Sequence, residues 1–242
     1  MCGVFGIHAP ERDVARLAFF GLFALQHRGQ ESAGIAVSDE GRLTVLRDMG
    51  LVSQVFSEQR LRGLRGQTAI GHSRYSTTGS THWANAQPIV QRGPARTVAL
   101  GHNGNLTNTG ELRAELLRAG VRLSSTSDTE VIAALIAHDP RPLDEAVATT
   151  MAKIEGAFSA VLVGEGKLVG FRDPDGIRPL VLGRLEDDWL LASESCALDL
   201  IGAEPVRELG PGEMVVVDED GCRAGQAVEP RGGGALCIFE FI

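Results

Sequence analysis

The 242-residue chain is poor in cysteine, and its four thiols are scattered. Cys2, Cys196, Cys222 and Cys237 include no CxxC pair. The sequence therefore offers neither a disulfide framework nor a self-contained zinc site. It also lacks any block of lysines and arginines, and its net charge is −8. That balance argues against nucleic acid or an acidic membrane surface as a partner. No apolar run approaches the roughly 18 residues needed to span a bilayer. Glu11, Arg12 and Asp13 sit where a signal peptide would be uncharged. No low-complexity linker interrupts the chain. These absences predict a reducing, cytoplasmic setting with no membrane and no nucleic acid. What is present is ordinary globular material, 43% hydrophobic and 22% charged, long enough to bury a core as one large domain or two small ones.

The order of elements predicts the fold class. CGVFGIHA reads as a strand. The next 17 residues, opened by Asp13 as N-cap and stopped by Gly29, read as one helix. Residues 31–50 look like a hairpin turning at Asp39-Glu40-Gly41, and residues 51–66 like a helix. TAIGHSRYSTTG and TVALGHNGNLTN then repeat one pattern, a short apolar run, Gly-His and a polar tail. Two such strands side by side would deliver Arg74 and Asn103 to one sheet edge. Three helices follow, at 109–120, 127–139 and 143–156, the second opened by Ser127-x-x-Glu130 as a capping box. The remainder reads as strands and hairpins. Hairpins dominate, so this is no βαβ series, and the helices must cover sheet faces in an α+β layered sandwich.

Several residues could carry chemistry, each against a plainer reading. Cys2 follows the initiator Met directly. A small thiol opening a strand is often mere packing. If Met1 is removed, however, the thiol and a free α-amine belong to one residue, and an amine with a pKa near 7.7–8.0 can take the thiol proton. Asn103 and Gly104, in GHNGNL, could supply a side-chain and a backbone N–H to an oxyanion, although Asn-Gly is also a strong turn signal. Arg74 is a fork-shaped donor suited to a carboxylate, or simply a surface arginine. Asp128 could hold an ammonium, or serve only the dipole of the helix it opens. His72 and His102 lie inside apolar runs and read as hydrogen-bonded core histidines, with a Cys-His hydrolase as the competing chemistry. Cys196, and Cys222 in an expected turn, read as structural.

Five segments occur in one order, MCGVFGI, HRGQESAGIAV, GHSRYSTTG, GHNGNLTN and TSDTEVI. In these the chain resembles the class II glutamine amidotransferases over nearly its whole length. HRGQES, RDPDGIRPLVLG, ASESCALD and CIFEFI resemble the branch that forms 5-phosphoribosylamine, the first step of purine synthesis. The hexosamine-forming synthase, the alternative, would be expected to carry an aromatic residue where His27 stands and Trp where Tyr75 stands. The resemblance implies the four-layer αββα sandwich of N-terminal nucleophile hydrolases. It implies Cys2 as nucleophile with its own α-amine as base, and Asn103 and Gly104 as the oxyanion hole. Arg74 would bind the glutamine α-carboxylate and Asp128 its α-ammonium, with Tyr75 and Thr77 lining the pocket. Residues 2–235 would be the glutaminase domain, and 236–242 the start of a phosphoribosyltransferase domain acting on phosphoribosyl pyrophosphate. No cofactor is implied for this stretch. The full-length enzyme would use Mg2+, would be a homo-oligomer, and in some members carries a 4Fe-4S cluster, one of whose ligands Cys237 resembles in position.

Overall fold

The computed structural model describes residues 1–75, 82–232 and 237–241. Strands buried on both faces read as largely apolar runs rather than as alternating ones. β1 (Gly3–His8) fits that pattern, and β4 (Thr68–Arg74) is buried throughout although it ends in His72, Ser73 and Arg74. They lie at the centre of an antiparallel sheet ordered β11-β9-β10-β1-β4-β2-β3. Its other members are β2 (Ser32–Asp39), β3 (Arg42–Met49), β9 (Val181–Leu185), β10 (Asp188–Ala192) and β11 (Glu204–Glu208). A second antiparallel sheet runs β13-β12-β8-β7-β6-β5. It is built from β5 (Ile89–Arg92), β6 (Thr97–Leu106), β7 (Gly156–Gly164), β8 (Lys167–Arg172), β12 (Glu213–Asp218) and β13 (Gly221–Gln226).

Three apolar layers hold the stack. Val4, Ile70, Ala99, Val161 and Leu191 fill the space between the sheets. Helix α1 (Val14–Ala24) and the short α7 (Cys196–Leu200) bury Ala18, Leu22 and Leu198 on the outer face of the first sheet. Helices α4 (Thr109–Arg118), α5 (Asp128–His138) and α6 (Leu143–Lys153) bury Leu116, Ile132, Ile136 and Val147 on the outer face of the second. The result is the four-layer αββα sandwich. No helix among the described residues is long and apolar enough to cross a membrane.

Some local readings are met in detail. Asp13 Oδ1 accepts from Arg16 N at 3.1 Å and caps α1. β2 and β3 turn through Glu40 (φ 45°) and Gly41 (φ 82°), the two positive φ values that suit a twisted hairpin. Others are corrected. The helix after Asp13 stops at Ala24 and gives way to a 3-10 turn over Gln26–Arg28. Residues 51–66 hold two single-turn helices, α2 (Val52–Val55) and α3 (Glu58–Leu61), rather than one. Phe56 is extended, and Ser57 starts the second turn by accepting from Arg60 N. Cys222 lies in β13, opposite Val217, rather than in a turn. The two Gly-His strands are not side by side. β4 belongs to one sheet and β6 to the other, and they face each other across the sandwich. The strands approach closely at Gly101, where a Cβ would already touch Gly71 O at 3.6 Å, an ordinary van der Waals contact. His72 Nε2 donates to His102 O across the gap at 3.1 Å.

Candidate active site

β1 begins immediately after Cys2, and β4 ends immediately before Tyr75, with Gly3 opposite Ser73. The pairing places the Cys2 thiol against the Tyr75 backbone. Sγ donates to Tyr75 O and accepts from Tyr75 N, both at 3.5 Å. From the facing sheet, Asn103 on β6 reaches the same residue, and Cys2 N donates to Asn103 Oδ1 at 3.2 Å. A backbone nitrogen can only donate, so the oxygen end of the amide must face it. The other end, Asn103 Nδ2, is buried with no hydrogen-bond partner among the described residues. A buried donor left unpaired costs about 1–3 kcal/mol, and this one stands beside a thiol. Next along β6, Gly104 has φ 150°, and a Cβ there would lie 2.0 Å from Ala157 O. No larger residue fits without moving β7.

Arg28, delivered by the 3-10 turn after α1, donates from Nε to Cys2 O at 2.8 Å. Its guanidinium is buried against two carboxylates, Glu194 and Glu240. Burial pushes the Cys2 thiol up. The Tyr75 hydrogen bond and the positive charges of the chain N-terminus, Arg74 and Arg28 offset only part of that. With Met1 attached the thiol therefore stays protonated at neutral pH. The Met1 amine is itself pushed down, chiefly by burial.

Arg74, the last residue of β4, is buried and ion-paired with Glu31, whose backbone N donates back to Arg74 O at 3.0 Å. Asp128, the first residue of α5, accepts from Leu106 N at 3.1 Å and from Thr129 N at 2.9 Å. Burial opposes its charge, but His102, 3.7 Å away, and the two backbone donors win, so its pKa lies below the ordinary carboxylate value. Among the described residues Asp128 bonds neither Cys2 nor Asn103; it joins them through β6. The capping box is not formed. Ser127 Oγ accepts from Thr129 N, but Glu130 turns upstream and collects the backbone and hydroxyl groups of Ser124 and Ser125 at 2.7–2.8 Å. It thereby fixes the loop that leads into Asp128.

Tyr75 takes part through its backbone, and its side chain is exposed. Thr77 lies outside the described residues. His72 and His102 are buried, and neither contacts Cys2 among the described residues. The geometry thus gives the thiol no histidine base. Arg28, Glu31 and Glu240 were missed as site residues. The first two lie inside the HRGQES segment, and charged residues between an apolar helix and an apolar strand were their available signal. The Cys237 sulfur lies 3.7 Å from Arg178 Nη1, and the one grouping of three potential metal ligands among the described residues excludes it.

Comparison with known proteins identifies the family. Residues 72–200 match the glutamine amidotransferase domain family. The amidophosphoribosyltransferase of Mycobacterium tuberculosis strain H37Rv is 48% identical over 249 residues, covering all of this chain and 47% of that protein. That of Synechococcus elongatus is 49% identical over 251 residues, covering 50% of its length. The chain thus spans about half the length of these curated relatives. Glutamine phosphoribosylpyrophosphate amidotransferase from B. subtilis, solved with ADP and GMP, superposes with a TM-score of 0.91 at 36% identity, over 99% of this chain and 52% of that one. A class-II domain protein from Silicibacter pomeroyi, 20% identical with a TM-score of 0.59, shares the fold. With the matched family residues covering the end of β4, β6 and all of α5, the chain belongs to the glutamine amidotransferase domain family.

Proposed function

We propose that this chain hydrolyses the side-chain amide of glutamine with Cys2 as an N-terminal nucleophile. Its ammonia would form 5-phosphoribosylamine from phosphoribosyl pyrophosphate, the first step of purine synthesis. The carrying observation is Asn103. One end of its amide holds the Cys2 nitrogen at 3.2 Å, and the other end is a buried donor with no partner among the described residues.

Once Met1 is removed, that nitrogen becomes a free amine held beside its own thiol. It takes the Sγ proton, and sulfur attacks the glutamine amide carbon. The oxyanion that forms is met by Asn103 Nδ2 and the Gly104 N–H, each such donor being worth roughly 3–4 kcal/mol. The amine returns the proton to the leaving nitrogen, and ammonia departs. Water, deprotonated by the same amine, cleaves the γ-glutamyl thioester to glutamate. Arg74 would hold the substrate carboxylate. Its fork carries five donors, so it can serve both Glu31 and a ligand. Asp128, kept ionised by its surroundings, would hold the ammonium. An amide lacking either charge leaves one of these groups unmatched.

The phosphoribosyl half of the reading rests on the curated relatives' names and on the PRPP amidotransferase likeness. On that reading 2–235 is the glutaminase domain and 236–242 opens the transferase domain, where Mg2+ and phosphoribosyl pyrophosphate would bind. Cys237 would join a 4Fe-4S cluster only with thiols from outside the described residues. Intact mass before and after 6-diazo-5-oxo-norleucine, with peptide mapping, tests the glutaminase reading. Loss of Met1 and one adduct at Cys2 are expected. Met1 absent with Cys2 unlabelled at saturating reagent would overturn it.

A further inference from the structure

Away from the Cys2 thiol, three side chains of different chemistry converge on one point. His27 comes from the 3-10 turn after α1, Glu194 from the turn after β10, and Cys196 from the first position of α7. His27 Nε2 lies 2.9 Å from Glu194 Oε2, and Cys196 Sγ lies 3.5 Å from the same oxygen. One donor atom from each of the three falls within 4.8 Å of the others. Zinc binds nitrogen and oxygen near 2.0–2.2 Å and sulfur near 2.3 Å. A tetrahedral ion therefore wants its donors roughly 3.3–3.6 Å apart. The Cys196–Glu194 separation falls in that range, the His27–Glu194 separation lies somewhat below it, and the third pair is no more than 4.8 Å apart.

The hydrogen-bond pattern points the same way. His27 Nδ1 lies 3.0 Å from Ala24 O. A carbonyl can only accept, so Nδ1 carries a hydrogen and Nε2 is left to face a carboxylate oxygen. Something positive must sit between two such acceptors, either a proton or a metal ion. A backbone carbonyl behind the second ring nitrogen is also the arrangement that orients ligating histidines. Glu194 is oriented in turn, since its second oxygen is taken by buried Arg28.

We propose that His27, Glu194 and Cys196 form a binding site for a thiophilic divalent cation of the zinc class, with a fourth position open to solvent. On binding, Zn–N, Zn–O and Zn–S bonds form. The ion replaces the proton between His27 and Glu194 and the thiol proton of Cys196, and both go to solvent. Burial, then the Glu194 carboxylate, push the free Cys196 thiol up to about 11. A bound divalent ion reverses that balance, because a coordinating thiol is deprotonated outright. The site does not depend on glutamine chemistry. It touches the catalytic region only through Glu194 and Arg28, whose Nε holds Cys2 O.

Cobalt titration of the full chain tests this, with Cys2→Ser as background so that the nucleophile's thiol does not compete. One equivalent of Co2+ should produce a near-ultraviolet sulfur-to-metal band, bleached by one equivalent of Zn2+. Cys196→Ser should abolish the band. His27→Gln should keep the thiol but weaken binding at least ~10-fold, the loss expected even for a group that merely orients a ligand. A band that survives Cys196→Ser would overturn the site, as would no band at all. Unchanged affinity in His27→Gln would reduce it to a single reactive thiol and overturn it equally.

Discussion

At the scale of single residues, the molecule keeps an energetic debt where chemistry is proposed. Asn103 places a donor in a buried site with no partner among the described residues. Gly104 accepts a backbone conformation that side chains rarely adopt and would drive any Cβ into Ala157 O. Such local costs persist where function holds them in place. Asn103→Ala separates the two roles. It loses the Cys2 N hydrogen bond, a net contribution of about 1 kcal/mol, and removes an unpaired buried donor of about the same or larger cost. Stability in urea should therefore change by no more than about 1 kcal/mol, while glutaminase kcat falls roughly 10²–10³-fold. A drop of several kcal/mol would instead make Asn103 a structural residue.

Among elements, the short 3-10 turn Ile238–Phe241 does more than its length suggests. It brings Glu240 between two arginines, with Oε2 2.7 Å from Arg28 Nη2 and Oε1 2.7 Å from Arg178 Nη1. The Arg28 side chain is only 2% exposed. Glu240→Ala would leave a buried guanidinium half-neutralised, and breaking one partner out of such a pair costs about 3 kcal/mol or more. In a chain of this size that is roughly 6–12 °C of Tm, readable by calorimetry. A shift under 2 °C would show the contact to be marginal. None of this was legible in the sequence, because 212 positions separate Arg28 from Glu240. Legible features were those set within a few residues, such as the Asp13 cap and the Glu40-Gly41 turn. The 51–66 segment failed for a local reason as well, since Ser57 is a better helix start than a helix interior. Glu130 shows the same limit at the site itself. Its spacing from Ser127 fits a capping box, yet two serine N–H groups upstream offer the carboxylate more donors.

For the whole molecule, a buried apolar run announces a buried strand but not the sheet it joins. That is why the two Gly-His strands could be expected side by side when they in fact lie face to face. Their true relation makes His72 a fastener between sheets. It is fully buried, donates from Nε2 to His102 O, and among the described residues has no partner for Nδ1. Burial, reinforced by nearby His102 and Arg74, pushes its pKa down to about 3 against the backbone hydrogen bond that favours the charged ring. An unfolded histidine titrates near 6.5. Between those values the unfolded chain binds a proton that the folded one refuses, so stability rises with pH there and is lost on acidification. From pH 7 to 4.5 the loss from this one residue should reach roughly 2–3 kcal/mol. His8, also pushed down by burial, adds to the same slope. Asp128 contributes only lower still, since its depressed carboxyl loses its share as pH falls through its folded value. His72→Gln isolates the fastener, because its amide nitrogen can still donate to His102 O but carries no titrating proton. Urea unfolding of parent and variant at the two pH values should show most of the acid loss vanish in the variant. An equal loss in both would mean that another group sets the acid limit of the sandwich.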